Sequence, residues 1–155
     1  MLVIAHDDDG AVGLVLNRQT EAKVGDAIPA LVDLTGSDAV VSVGGPVQPE
    51  AVCVLAEWDD PDHAGQLVFD DVGLMAAEAE LDDVAPATRR VRVFAGYAGW
   101  GSGQLEAELD EPSWLVEDAG VDDIFGGGDV WAEALRRKGG EYKFLATMPE
   151  DPSLN

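Results

Sequence analysis

The sequence predicts one domain that mixes β-strands with α-helices, of the α+β class, on three observations. Short apolar runs of four to seven residues alternate with Asp-Gly and Gly-Pro turn signals, which is the punctuation of strands. At least one segment, Val130–Lys138, carries the cap and terminator of a helix. The chain is 155 residues long and 46% apolar, enough to bury one core without disulfides or metal.

The first two runs, Leu2–His6 and Ala11–Asn17, are joined by Asp7-Asp8-Asp9-Gly10, a hairpin signal of the type I′ kind. The three aspartates beside His6 would suit a cation only if they converged. Adjacent strand residues face opposite ways and EF-hand spacing is absent, so a turn is the better reading. Over Thr20–Leu34 the apolar residues Val24, Ala27, Ile28, Leu31 and Leu34 recur at three- and four-residue steps. That spacing predicts a short amphipathic helix, which Pro29 must delay, kink or split.

Ala39–Val43 and Ala51–Glu57 lack polar alternation and read as strands covered on both faces. The turn between them, Gly44-Gly45-Pro46-Val47-Gln48-Pro49, fixes the backbone sharply, because Pro presets φ and Gly permits what other residues cannot. Cys53 has no basic neighbour in sequence to activate it, so it reads as a buried structural thiol. Trp58–Gly65 is an acidic loop containing His63. Gln66–Phe69 and Val72–Met75 form a second hairpin across Asp70-Asp71, and Ala76–Leu81 reads as one or two helical turns ending before Pro86. Arg89, Arg90 and Arg92 open the next strand, with Arg90 and Arg92 on one side of it, placed as ion-pair partners for nearby acids.

The densest chemistry lies in Val91–Leu109, VRVFAGYAGWGSGQLEAEL, a strand that passes through Gly96, Gly99, Gly101 and Gly103 into a helix. Glycines before a helix start could cradle a phosphate, but the templates fail. Walker A needs Gly-Lys-Ser/Thr, and no lysine stands between Lys23 and Lys138. The dinucleotide fingerprint counted from Gly99 meets Gln104 where a glycine belongs. Glu106 and Glu108 satisfy the helix dipole and repel an anion. Gly101-Ser102-Gly103 is not the spaced elbow of a serine hydrolase. The favoured reading is architectural: Ser102 caps the helix while Tyr97 and Trp100 pack over the joint. No catalytic, cofactor-binding or metal-binding residue is assigned.

Further on, Pro112–Val116 reads as a short strand, Asp118–Gly120 as a turn and Val121–Phe125 as one helical turn burying Ile124 and Phe125. Asp129 is the N-cap of the helix through Lys138, with Val130, Ala134 and Leu135 on its inner face and Gly139 as its stop. Tyr142–Thr147 reads as a strand, and Glu150–Asn155 as a frayed tail.

Charge excludes some functions. With 31 acidic against 9 basic residues the net charge is −22. Nucleic-acid affinity rests on Lys and Arg neutralising phosphates, so direct DNA or RNA binding is disfavoured, as are anionic membranes. No run of about 18 apolar residues is present to span a membrane. The single cysteine fits a reducing, cytoplasmic setting. An acidic coat keeps a protein soluble, and it also attracts a basic protein partner.

Three segments together resemble the AlgH/YqgE family of bacterial proteins: GAVGLVLNR at Gly10–Arg18, VGGPVQPE at Val43–Glu50 and FAGYAGWGSGQLEAEL at Phe94–Leu109. The resemblance implies a single domain with a bifurcated or barrel-like mixed β-sheet surrounded by helices. It also implies a role in transcriptional regulation, with no enzymatic activity or cofactor carried over to residues here. Relative to that pattern an opening strand and turn are expected to be absent ahead of LVIAH, and an edge exposed in this way would favour a homo-oligomer. The leading expectation is a non-enzymatic regulator working through protein contacts. The alternative is a small-molecule binder or enzyme using Gly44, Gly45, Pro46, Tyr97, Gly99, Trp100, Gly101 and Ser102, which requires the two glycine turns to meet around a cleft.

Overall fold

The computed structural model describes residues 1–147. The chain divides into two compact units, Met1–Trp114 and Leu115–Asn155.

The first unit carries eight strands in one mixed sheet: β1 Leu2–Asp7, β2 Gly10–Leu14, β3 Gln19–Lys23, β4 Val40–Val43, β5 Val47–Trp58, β6 Gln66–Phe69, β7 Val72–Leu74 and β8 Thr88–Gly101. The main path runs β1-β2-β8-β5-β7-β6. Its two ends approach each other, since the Gln66 side chain on β6 donates to the Ile4 carbonyl on β1 at 3.0 Å. The sheet is therefore barrel-like and nearly closed. It is also bifurcated on β8, which pairs antiparallel with β5 over most of its length. Beside it β4 takes Phe94 and Ala95 in parallel, and β2 takes over antiparallel from Ala98 to Gly101. A bond from Val15 N to Gly44 O, 2.8 Å, joins the two branches.

Helices cover this sheet because each buries a few aliphatic residues on it. α1 (Val24–Ala27) and α2 (Val32–Thr35) flank a 3-10 turn at Pro29–Leu31, and Val24 and Leu31 pack with Val41 and Val93. The amphipathic stretch therefore splits at Pro29, and residues before Val24 form β3 in place of the expected helix. The apolar spacing survives because the same residues still face the core. α3 (Leu81–Val84) begins where the helix was expected to end, and Pro86 sits in a following 3-10 turn, where its missing N–H costs nothing. Val84 and Ala87 there cover Ala56 and Trp58.

The first hairpin forms as expected, but not as a type I′ turn. Among the described non-glycine residues only Gln48 and Asp70 have positive φ, so Asp8 and Asp9 do not. Asp7 instead accepts the Asp9 N–H at 2.9 Å, a local aspartate turn. β5 starts earlier than expected, at Val47, through a bulge in which Val47 pairs with Tyr97 and Val52 with Ala95. It is closed on both faces only over Leu55–Trp58, while Val52 is 50% exposed. Val43 at the end of β4 is exposed too. α4 (Gln104–Asp110) follows β8 and buries Leu105.

Pro112–Val116 is not a strand: its first three residues end the first unit, and Leu115 and Val116 open the second as an irregular exposed run. α5 (Val121–Phe125) buries Ile124 but leaves Phe125 half-buried. α6 (Val130–Lys138) has the expected N-cap, the Asp129 carboxylate accepting from Ala132 N at 3.1 Å. Its buried face is Ala132 and Leu135, with Ala146 behind them, whereas Val130 and Ala134 are only partly covered. The run after Gly139 is a helix, α7 (Tyr142–Leu145), where a strand was expected. Gly139 lies at φ 77° and ends α6, and the next turn restarts locally, with no strand among the described residues of this unit to pair with. Arg137 on α6 holds the buried Asp123 of α5 through two bonds, 3.1 and 2.7 Å, and Asp123 also accepts the Gly120 N–H. The expected tail, Glu150–Asn155, lies outside the described residues.

Candidate functional site

The two glycine turns do meet, and they meet as main chain on main chain. A Cβ built on Gly44 would stand 2.2 Å from the Gly96 carbonyl oxygen, and one on Gly45 2.2 Å from the Tyr97 carbonyl carbon. Gly96 has φ 68°, and its own Cβ would meet Gly45 O at 2.6 Å and Val47 O at 2.9 Å. Glycine is required there on two independent grounds: backbone conformation and space. Gly10 is the same case on the other branch, with φ 139° and Trp100 O at 2.1 Å. By contrast Gly99 has only ordinary contacts and Gly101 none. The glycines of the signature are thus chiefly the crossing point of β2, β4, β5 and β8, and backbone fills this face of the junction. Pro46 leads from that crossing straight into β5.

Trp100 lies just beyond it. Its ring rests over Gly13 of β2, where a Cβ would be only 3.1 Å away. Its indole N–H donates to Glu108 Oε2 of α4 at 3.1 Å. Trp114 donates to the same oxygen at 3.1 Å, and Gln104 Nε2 donates to Oε1 at 3.1 Å. The two indoles sit edge to face, centroids 6.4 Å apart at 68°. Three donors on one carboxylate, Trp100 first, then Gln104 and Trp114, hold the Glu108 carboxyl below its ordinary range, so it stays charged.

Ser102 does not cap α4. Gly103, at φ 72°, occupies the N-cap position with no side-chain cap. Ser102 Oγ instead donates to Asp8 O at 2.6 Å, and Gln104 Oε1 receives the Gly101 N–H at 3.0 Å. His6 Nε2 lies 2.6 Å from Glu106 Oε1. These contacts fasten the acidic tip of the β1–β2 hairpin beside the start of α4. Sequence reading missed Trp114 and the true role of Glu108. The usable signal was a second tryptophan just beyond a helix of about two turns, with a carboxylate between the two.

The three arginines at the start of β8 are engaged by other groups of the chain. Arg90 and Arg89 both pair with Glu57 of β5, which is 8% exposed, and Arg89 also pairs with Asp59 and Asp71. The Arg90 hydrogen bond pulls the Glu57 carboxyl below its ordinary range, against an opposing push from burial. Arg92 donates to Leu16 O at 2.9 Å and Ser42 Oγ at 2.8 Å, and its guanidinium lies 4.9 Å over Phe94. Burial lowers its pKa, as expected for a cation withdrawn from water. Cys53 is half-buried and its thiol is pushed up by desolvation, which fits an unactivated thiol. Among the described residues no His, Cys, Asp or Glu cluster is arranged to hold a metal, and no helix is long and apolar enough to cross a membrane.

Comparison with known proteins gives a consistent result. The family model described as AlgH-like matches residues 1–143. A UPF0301 protein of Streptomyces coelicolor is 40% identical over 163 residues, covering 100% of this chain and 84% of the relative. One from Thermobifida fusca is 42% identical, covering 96% and 81%. Among solved structures, a Corynebacterium diphtheriae protein shares the fold with a TM-score of 0.86 at 24% identity, over 95% of this chain and 81% of that one. The AlgH protein from Pseudomonas aeruginosa aligns with a TM-score of 0.66 at 26% identity, over 96% and 83%.

Proposed function

The chain belongs to the AlgH-like family, and we propose that within it this protein is a cytoplasmic regulator that acts through protein contacts and does not itself bind DNA. The observation that carries this reading is the disposition of charge. Against a net charge of −22, the nine basic residues include Lys23, Arg89, Arg90, Arg92, Arg137 and Lys138, each engaged by acidic or carbonyl groups of the chain itself. A DNA-binding face needs several cations free to displace counterions from phosphates. The remaining surface is strongly anionic and favours encounter with a basic protein.

The test has two arms at moderate salt. In the first, labelled duplex DNA pools are titrated with the protein, and no saturable, sequence-selective complex is expected. In the second, immobilised protein is challenged with lysate, with and without nuclease treatment, across a salt series, and a protein partner retained after nuclease and released by rising salt is expected. Sequence-selective DNA binding, or capture that disappears on nuclease treatment, would overturn the proposal.

A further inference from the structure

We propose that the partly exposed indole of Trp114, together with the Glu108 carboxylate, binds an arginine side chain of a basic protein partner. This deepens the reading above and rests on it for the class of partner. Trp100 is already used by the fold, pressed on Gly13 and tied to α4. Trp114 is not used in that way: it is 38% exposed, yet its indole N–H is fixed on Glu108 and its ring is set edge to face against Trp100. The result is an oriented aromatic surface beside a fixed negative charge.

A carboxylate offers about four lone-pair sites, and the two indoles and Gln104 occupy three of them. Oε1, which accepts only Gln104 among these three donors, has capacity for one more. A planar guanidinium can stack on an indole and donate to an adjacent carboxylate at once, which a compact ammonium cannot do as well. The surroundings select for positive charge. Glu106, Asp110 and Glu111 are exposed on and just after α4, and the Asp7-Asp8-Asp9 tip is fastened alongside by Ser102 and by the His6–Glu106 contact.

The four indole N–H resonances of the uniformly 15N-labelled full chain report this directly. The probe is a blocked pentapeptide, Gly-Arg-Ala-Arg-Gly, compared with the same peptide carrying citrulline, which keeps the shape of arginine and removes its charge. We expect saturable shifts of the Trp114 and Trp100 indoles, with the buried Trp58 and the exposed Trp131 unmoved. The citrulline peptide should bind about tenfold more weakly or worse, and Glu108→Gln should weaken the arginine peptide similarly. An unchanged Trp58 resonance in the variant verifies its fold, and the citrulline comparison on the unaltered chain needs no variant at all. Equal binding of the two peptides, a Trp131 shift as large as that of Trp114, or no saturable shift would overturn the proposal. Such a result would leave a salt-sensitive protein partner in the lysate experiment untouched, so the two proposals fail separately.

Discussion

Replacing Gly96 by alanine should destabilise the first unit by about 3 kcal/mol, and the figure follows from two terms. Gly96 sits at φ 68°, where an L-residue costs about 1–2 kcal/mol. Its new Cβ would also lie 2.6 Å from Gly45 O and 2.9 Å from Val47 O, both backbone atoms that cannot swing aside. Forcing that crossing apart is overpacking, at about 1–3 kcal/mol. Alanine returns only about 0.4–1 kcal/mol by restricting the unfolded chain. At this chain length 3 kcal/mol corresponds to a fall in Tm on the order of 10 °C. Urea denaturation followed by tryptophan fluorescence measures the change, with Gly101→Ala and Gly103→Ala as internal scale. Gly101 has neither positive φ nor any atom near a new Cβ, so its variant should stay within about 0.5 kcal/mol of the parent. Gly103, at φ 72° with open space, should cost about 1 kcal/mol. If Gly96→Ala matched the parent, or Gly101→Ala cost as much, the reading of this signature as a backbone crossing would be refuted.

Further outcomes are expected elsewhere. Glu57 has a folded-state pKa below its unfolded value, so its contribution to stability is complete above the ordinary carboxylate range and is lost as pH falls through the lowered value. Glu57→Gln should therefore flatten the acid limb of a denaturation-midpoint profile, and an unchanged limb would show that Arg90 contributes nothing there. Trp58 is fully buried and its indole donates to Gly73 O at 3.1 Å, so Trp58→Phe should cost about 1–3 kcal/mol in urea midpoint by orphaning that carbonyl. Cys53, half-buried with a raised pKa, should react with iodoacetamide at mildly alkaline pH more slowly in the native chain than in urea; equal rates would contradict the desolvation.

Local chemistry was legible where it is decided locally. The two hairpins, the Asp129 cap, the Gly139 stop and the split forced by Pro29 all depend on a few adjacent residues, and all are present. Periodicity also named the right inward residues, Val24 and Leu31, although part of their segment is a strand. The misreadings fall where distant chain decides. Thr20–Lys23 becomes β3 because β4 lies beside it to pair with, whereas Tyr142–Leu145 becomes a helix because it packs on α6, with no strand edge among the described residues of its unit.

The sequence by itself determined the family, the acidity and the fact that the glycine-rich stretch turns a strand into a helix. Tertiary structure alone decided what the glycines are for. A glycine tolerated for its φ and one demanded by a carbonyl oxygen that would stand 2.6 Å from its Cβ are spelled alike, and only the chain crossing above Gly96, far away in sequence, separates them. The same holds for Glu108. In sequence it is one more acid on an acidic helix, and in space two tryptophans 14 residues apart place their N–H groups on a single oxygen of its carboxylate.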